Sequence, residues 1–265
     1  MSQRGTRAMT KRLHVAVPTH NRTISIPTAI TLLNLQEQLA GQWQMSTHFA
    51  SATIISDLRN LIVADFLASG REVLLMIDAD QGIPAPVILR MLDSGHPVVG
   101  ALYPRRQLFW DNANLADPPP SLDDLHYRIM RFVGKPELGA DGTAPVTDGF
   151  IPAHAIGGGC MMIRREALEA MMAAFPNLQG MGFPDEDENR PRAPWNWGFF
   201  NPILDRERNL HLSEDFAFCH RWREGCNGEI RADIIGEHTH VGQVEITGSL
   251  QKYTEVANRR SSAGE

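Results

Sequence analysis

The sequence predicts an α/β fold in which a mostly parallel central sheet is flanked by helices. Two observations carry that expectation. Residues 73–77 (VLLMI) are apolar at every position, and residues 13–17 (LHVAV) are interrupted only by His14. Such runs suit strands buried on both faces. They alternate with segments of helical spacing at 28–40 and 56–68, followed by Gly41 and Gly70, the residue type that closes helices. A strand–helix–strand order implies right-handed crossovers and a ligand site at the carboxyl ends of the strands.

Each element follows in order. Residues 1–11 read as a loose basic tail. The first strand ends at Pro18 and gives way to the loop THNRTISIP. A helix over 28–40, a strand near 43–49 and a helix over 56–68 follow, with Ser56 as a plausible cap. The strand at 73–77 stops at Asp78-Ala79-Asp80. A short helix is expected over 84–92 and a buried strand over 97–102. Residues 107–150 are irregular and include Pro118-Pro119-Pro120. Residues 151–163 (IPAHAIGGGCMMI) read as strand, glycine turn and strand, and a helix follows over 165–174. Residues 176–212 lack periodicity and are rich in proline, tryptophan and acid, the pattern of a lid, a binding loop or disorder. A helix over 213–224 starts at Ser213 and stops at Gly225. Late strands at 230–235 and 237–241 precede a C-terminal tail at 251–265. No repeat or linker divides 12–250, so one domain is expected there, with a smaller β region in its second half.

Composition narrows the classes. The chain has 265 residues, 31 acidic against 25 basic side chains, a net charge of −6 and 43% apolar content. That is enough apolar material for a core. A mildly acidic balance disfavours nonspecific coating of nucleic acid. Of the basic residues 22 are arginine and three lysine, and arginine is the better fork for phosphates. Cys160, Cys219 and Cys226 show no C-x-x-C spacing, which suits reduced thiols rather than a disulfide framework. No signal-peptide core or membrane span is visible, so a soluble, cytoplasmic chain is the expectation.

Several constellations carry chemistry. Asp78-x-Asp80 is either a solvated turn or a mount for a divalent cation at a buried strand end. An EF-hand is excluded, because Gly82 comes one place early and Leu89 stands where the bidentate glutamate belongs. Ser213-Glu214-Asp215 reads as a helix start with acids in its first turn, or as a carboxylate held ready as a general base. His238 and His240 lie two apart and share a face; either could complete a site begun by Asp80. Gly157, Gly158 and Gly159 allow a ligand or a neighbouring backbone to come close. Arg59 and Asn60 in a helix, and Arg105 and Arg106 after a strand, are exposed surface residues or a diphosphate clamp. Trp195, Trp197, Phe199 and Phe200 are lid packing or a stacking platform. Neither a Walker A motif nor a G-x-S-x-G elbow occurs.

In this order the segments resemble the GT-A class of nucleotide-sugar glycosyltransferases, particularly its family 2-like members. HVAVPTHNR is similar to that family's first strand and P-T-x-N-R turn. ISDLRNLIVADFLASGREVLLMIDAD is similar to its arginine-bearing helix and the strand leading into D-x-D. AIGGGCMMIRREALEAM, SEDFAFCHRWREG and HTHVG are similar to the glycine-rich acceptor-side strand, the x-E-D helix and the late histidine. The resemblance implies a nucleotide-binding half at 12–106 and an acceptor-binding half at 107–250. Thr19, Asn21, Arg22, Arg59, Asn60, Asp78 and Ala79 would then bind the nucleotide sugar. Asp78, Asp80 and His240 would hold Mn²⁺ or Mg²⁺, with Asp80 the direct ligand. Asp215 would be the general base, and Glu214, the other member of the catalytic pair, its neighbour in acceptor binding. Gly157, Gly158 and Gly159 would face the acceptor; Trp195 and Trp197, in a segment without a counterpart in that family, are acceptor-binding candidates by their residue type alone.

The implied activity is inverting transfer of a sugar from a nucleoside-diphosphate sugar, UDP-linked by default, to a hydroxyl of a glycan, a protein or a modified nucleobase in DNA. Ser51 stands where many members carry an acid that binds the base. Self-association stays open. The rival readings are a sugar-nucleotide pyrophosphorylase, a metal phosphohydrolase and a non-catalytic glycan-binding module. A pyrophosphorylase should carry a glycine-rich, lysine-bearing loop after its first strand, and PTHNRTISIP has neither feature.

Overall fold

The computed structural model describes residues 11–113, 121–181, 193–207, 209–243 and 249–251. The expected tails therefore lie almost wholly outside the described residues. The chain opens with β1 (Lys11–Thr19), α1 (Ile26–Leu39), β2 (Trp43–Ser51), α2 (Ile55–Ala68) and β3 (Val73–Ile77). Next come β4 (Gln81–Gly82), α3 (Ala85–Ser94), β5 (Val98–Ala101), β6 (Tyr103–Pro104), α4 (Leu122–Arg128), β7 (Phe132–Val133) and β8 (Lys135–Pro136). β9 (Phe150–Ala155) and β10 (Cys160–Arg164) flank the glycine turn and lead into α5 (Arg165–Ala174). The last elements are β11 (Ile203–Asp205), β12 (Leu210–Leu212), α6 (Glu214–His220), β13 (Ile230–Asp233) and β14 (Thr239–His240).

The expected α/β architecture is present. Eight strands form one sheet in the order β2-β1-β3-β10-β5-β13-β9-β8. Six of them run the same way; β10 and β9 run against their neighbours. The strands from the first half are not contiguous, because β10 inserts between β3 and β5. Its CMMIR run is buried through Ile163, so it fits the centre of the sheet. Three short ladders, β4–β14, β6–β7 and β11–β12, lie outside the main sheet.

The apolar runs explain the layers. Along β3, Leu74 and Met76 join one core with Ile62, Phe66, Leu168 and Phe218. Val73, Leu75 and Ile77 join the other, with Leu35, Leu39, Ile88 and Met91. Alternate residues of one strand thus feed two cores, one under α2, α5 and α6 and one under α1 and α3. Each buried leucine or isoleucine contributes about 1.5–3 kcal/mol.

Two helix ends depart from expectation. α2 starts at Ile55, and Ile54 occupies the cap position without a side-chain bond, so Ser56 lies inside the first turn. The residues leading into α2 line a cleft, which leaves its amino end open there. The expected helix over 213–224 is α only to His220; Arg221–Gly225 forms a π turn. The wider turn lets the consecutive Arg221 and Trp222 both turn inward and be buried. Arg221 donates to the carbonyls of Phe199 and Asn201 at 2.9 and 2.7 Å. Among the described residues no helix is long and apolar enough to cross a membrane.

Candidate active site

β1 and β3 end side by side, and the segments that follow them line a cleft of about 660 Å³. The turn 78–80 is anchored along its backbone. The Asp78 N–H donates to Gly159 O (3.1 Å), and Asp78 O accepts from the Gln81 N–H (3.1 Å). Ala79 O accepts from the Ser25 N–H (2.7 Å) and the Thr28 hydroxyl (2.9 Å). Asp80 O accepts from the Val241 N–H (2.8 Å). The two carboxylates therefore stand on a fixed mount, with Asp78, Asp80, Thr19, Asn21, Ser25, Arg59, Arg106 and Glu214 all lining the cleft.

Arg59 is the centre of charge. It reaches in from α2 with its side chain only 3% exposed. Its Nη2 donates to Asp78 Oδ1 and its Nη1 to Gly158 O, both at 3.0 Å, while Nε lies 3.5 Å from Glu214 Oε1. Burial disfavours its charge, but Asp78, Glu214 and Asp215 more than offset that and hold the guanidinium above its ordinary value. Burial first, then the charge of Asp215, raise the Glu214 carboxyl against the pull of Arg59.

Asp80 has different partners. Arg106 Nη1 donates to its Oδ2 at 2.8 Å, and His240 Nε2 lies 3.5 Å from its Oδ1. Burial opposes the charge, yet His240 and Arg106 hold this carboxyl below the usual range. The β4–β14 ladder sets His240 opposite Gln81 and so beside Asp80. His240 Nδ1 lies 2.7 Å from Pro104 O; a carbonyl only accepts, so Nδ1 carries a proton, and the ring is held with Nε2 toward Asp80. Of the two candidate histidines, His240 is the one at Asp80. The ring of His238 is buried elsewhere, near Asp233 and Arg90, and burial lowers its basicity.

The expected three-ligand metal cluster does not form: among the described residues no three His, Cys, Asp or Glu side chains are grouped so as to hold a metal ion. Asp78 is held by Arg59 instead. What remains is a pair, Asp80 and His240. One carboxylate and one imidazole, its second nitrogen fixed by a carbonyl, suit Mn²⁺ or Mg²⁺ that takes its other ligands from substrate oxygens and water.

Other expected site residues have different places. Arg22, at φ 60°, lines an adjoining cavity of about 520 Å³ with Thr19, Ile24, Phe49 and Ser51. Asn21 lines the main cleft and accepts from the Thr23 hydroxyl at 2.6 Å. Asn60 is buried; its side chain accepts from the Phe200 N–H and donates to Asn201 Oδ1, both at 2.8 Å. It pins a loop and does not line the main cleft. Trp197 is also buried, stacked on Phe199 at 5.6 Å, and Trp195 packs against the same core. They form packing rather than an exposed platform.

The glycine turn is a further correction. Its spare space is filled by this chain's own side chains. A Cβ on Gly158 would stand 2.3 Å from Arg59 Cζ; one on Gly157 or Gly159 would stand 2.3 or 2.7 Å from the Tyr103 hydroxyl. Tyr103 itself was not singled out by the sequence. Its hydroxyl accepts from the Gly159 N–H at 3.0 Å, and its ring meets His240 edge-on at 5.5 Å. Burial, with Asp78 adding to it, pushes its phenol far up, so it stays neutral. The only sequence signal was an aromatic residue just beyond the strand at 97–102.

No protein-family model matches the sequence, and no curated protein matches it. Solved structures with similar traces include A197 from STIV (13% identity, 88% of this chain and 86% of that chain covered, TM-score 0.42). A UDP-glucose pyrophosphorylase complexed with UDP-glucose covers 96% and is itself fully covered, at 8% identity and TM-score 0.41. A mannose-1-phosphate geranyltransferase from Thermus thermophilus gives 11% identity, 84% and 74% coverage and TM-score 0.40. None of the three carries weight for the chemistry, which stands on the chain's own geometry.

Proposed function

We propose that this protein is a metal-dependent, inverting glycosyltransferase that uses a nucleoside-diphosphate sugar. The observation that supports this best is the pairing of Asp80 with His240, at the strand-end cleft that Arg59 and Arg106 also line. Three cleft carboxylates, Asp78, Asp80 and Glu214, stand against two guanidiniums. A diphosphate entering such a cleft needs a further positive charge. When bound at Asp80 and His240, Mn²⁺ or Mg²⁺ supplies that charge and stabilises the departing diphosphate.

The chain's own residues do the rest. Arg106 and the open amino end of α2 attract the diphosphate. Thr19, Asn21 and the adjoining cavity with Arg22 receive the nucleoside. A carboxylate at the head of α6, the role that the family resemblance gives to Asp215, takes the acceptor's proton. A base placed to take the acceptor's proton supports a single displacement with inversion at the anomeric carbon, and the diphosphate leaving group needs no acid to protonate it.

A donor screen tests the reading. The protein is incubated with Mn²⁺ and each common nucleotide sugar, and nucleoside diphosphate release is measured. Release with at least one donor is expected. Pyrophosphate release from a nucleoside triphosphate and a sugar phosphate would assign it to the pyrophosphorylases instead. Absence of nucleotide binding in calorimetry would make it a binding module for something else.

A further inference from the structure

The two acids that open α6 are adjacent in sequence but not in circumstance. Asp215 accepts hydrogen bonds on both oxygens. Its Oδ2 accepts from the Gly158 N–H at 3.2 Å, and its Oδ1 accepts from the Phe216 N–H at 2.8 Å and the Ser213 hydroxyl at 2.7 Å. These bonds tie the head of the helix to the glycine turn and use three of the roughly four acceptor sites of the carboxylate, leaving about one for an incoming hydroxyl. Asp215 does not line the cleft. Glu214 does, together with Asp78, Asp80 and Arg106. Its side chain is 16% exposed, and Arg59 Nε approaches it only to 3.5 Å, outside good hydrogen-bond range.

We propose that Glu214, not Asp215, takes the proton from the incoming hydroxyl, and that Asp215 is a positioning residue fixing the helix head to the Gly157–Gly159 turn. This rests on the glycosyl-transfer reading of the cleft. In the step, the acceptor oxygen bonds to the anomeric carbon as that carbon's bond to the diphosphate oxygen breaks. The electron pair leaves with the diphosphate, and the acceptor's proton ends on a Glu214 oxygen. The charged groups facing Glu214 are Arg59 from α2, Asp78 at the end of β3 and Asp215 beside it. Burial and the neighbouring acids make Glu214 more basic than an ordinary glutamate, as a general base near neutral pH should be.

The test uses the full chain with Mn²⁺, the best donor from the screen, and water as the acceptor. Nucleoside diphosphate release is followed from roughly pH 4 to 8, spanning the carboxyl and imidazole ranges, and affinity for the free nucleoside diphosphate is measured by calorimetry. Glu214→Gln should lower kcat by about 100-fold or more, leave nucleotide affinity within about threefold, and abolish the acidic limb of the rate profile. Asp215→Asn should lose about tenfold and keep that limb. Loss of the limb in Asp215→Asn with its retention in Glu214→Gln would overturn the assignment, as would wild-type rates in both. Should Asp215→Asn fail to fold, Glu214→Asp decides: a slower enzyme with the limb restored supports the proposal, and a variant as dead as Glu214→Gln refutes it. A wild-type chain that binds no nucleotide, or binds it and releases no diphosphate from any donor, refutes glycosyl transfer itself and the proposal with it.

Discussion

The two halves of the sheet meet at the cleft and treat their functional residues in opposite ways. The ends of β1 and β3 hold Thr19, Asn21, Asp78 and Asp80 up to open space on a hydrogen-bonded backbone. The glycine turn between β9 and β10 touches the cleft residues Asp78 and Arg59 from behind, and its space is filled by Arg59 and Tyr103. Both regions are built for close approach. In one the approaching group comes from outside, and in the other it belongs to the protein. Small residues report that something must come near a backbone, but not whose atoms they are.

That contrast can be broken from either side. The largest effect is expected at the open side. Asp80→Ala should lower nucleoside diphosphate release by about 100-fold or more, while the melting temperature moves by no more than about 2 °C. A variant with full release would remove Asp80 from the site. On the filled side, Gly158→Ala should act on folding first, because its Cβ would stand 2.3 Å from the Arg59 guanidinium. Arg59 is buried and cannot swing clear, so a loss of about 1–3 kcal/mol is expected, with weakened nucleotide binding as Arg59 shifts. Unchanged stability in urea unfolding would mean that the turn has slack.

A smaller effect separates two adjacent residues of α2. Arg59 serves the cleft; Asn60 holds Phe200 and Asn201. Asn60→Ala should cost roughly 1–3 kcal/mol for buried partners left unpaired, and nucleotide affinity measured by calorimetry should stay within about twofold of wild type. A large affinity loss without destabilisation would return Asn60 to the nucleotide site.

These cases show where sequence reading reaches and where it stops. The strand at 73–77 and the acids at its end were legible because an uninterrupted apolar run and its polar stop are local facts. The layer order was legible from alternation of strand and helix. The insertion of β10 between β3 and β5 was not, since nothing near Cys160 names its partners. The same limit applies to side chains. Neighbouring helical residues point about 100° apart, so Arg59 and Asn60 could not both face one ligand. Which of them did depended on Gly158 and Asn201, 99 and 141 residues away. Trp197 carried an aromatic signal that suits a platform or a core equally, and its environment made it core. The π turn after His220 depends on the carbonyls that Arg221 finds, which no local spacing records.

The smallest effect tests the halves away from the cleft, through one buried base in each. Arg221 is lowered only to about 10 by burial and satisfies two carbonyls, so it stays charged in any assay near neutrality. His14 in β1 is lowered to about 4, by burial first and then by His48 and Arg71. Among the described residues its buried Nε2 has no hydrogen-bond partner, and its ring lies near His48 and Phe66. The unfolded chain therefore binds a proton at His14 that the folded chain refuses between about pH 6.5 and 4. Stability from this group is full above pH 6.5 and falls as the pH drops through that window. At pH 5.5 the loss is about 1 kcal/mol. Thermal unfolding of wild type and His14→Gln at pH 7.5 and 5.5 checks it: the variant should lose less on acidification. An identical drop in both would place the acid sensitivity elsewhere in the sheet.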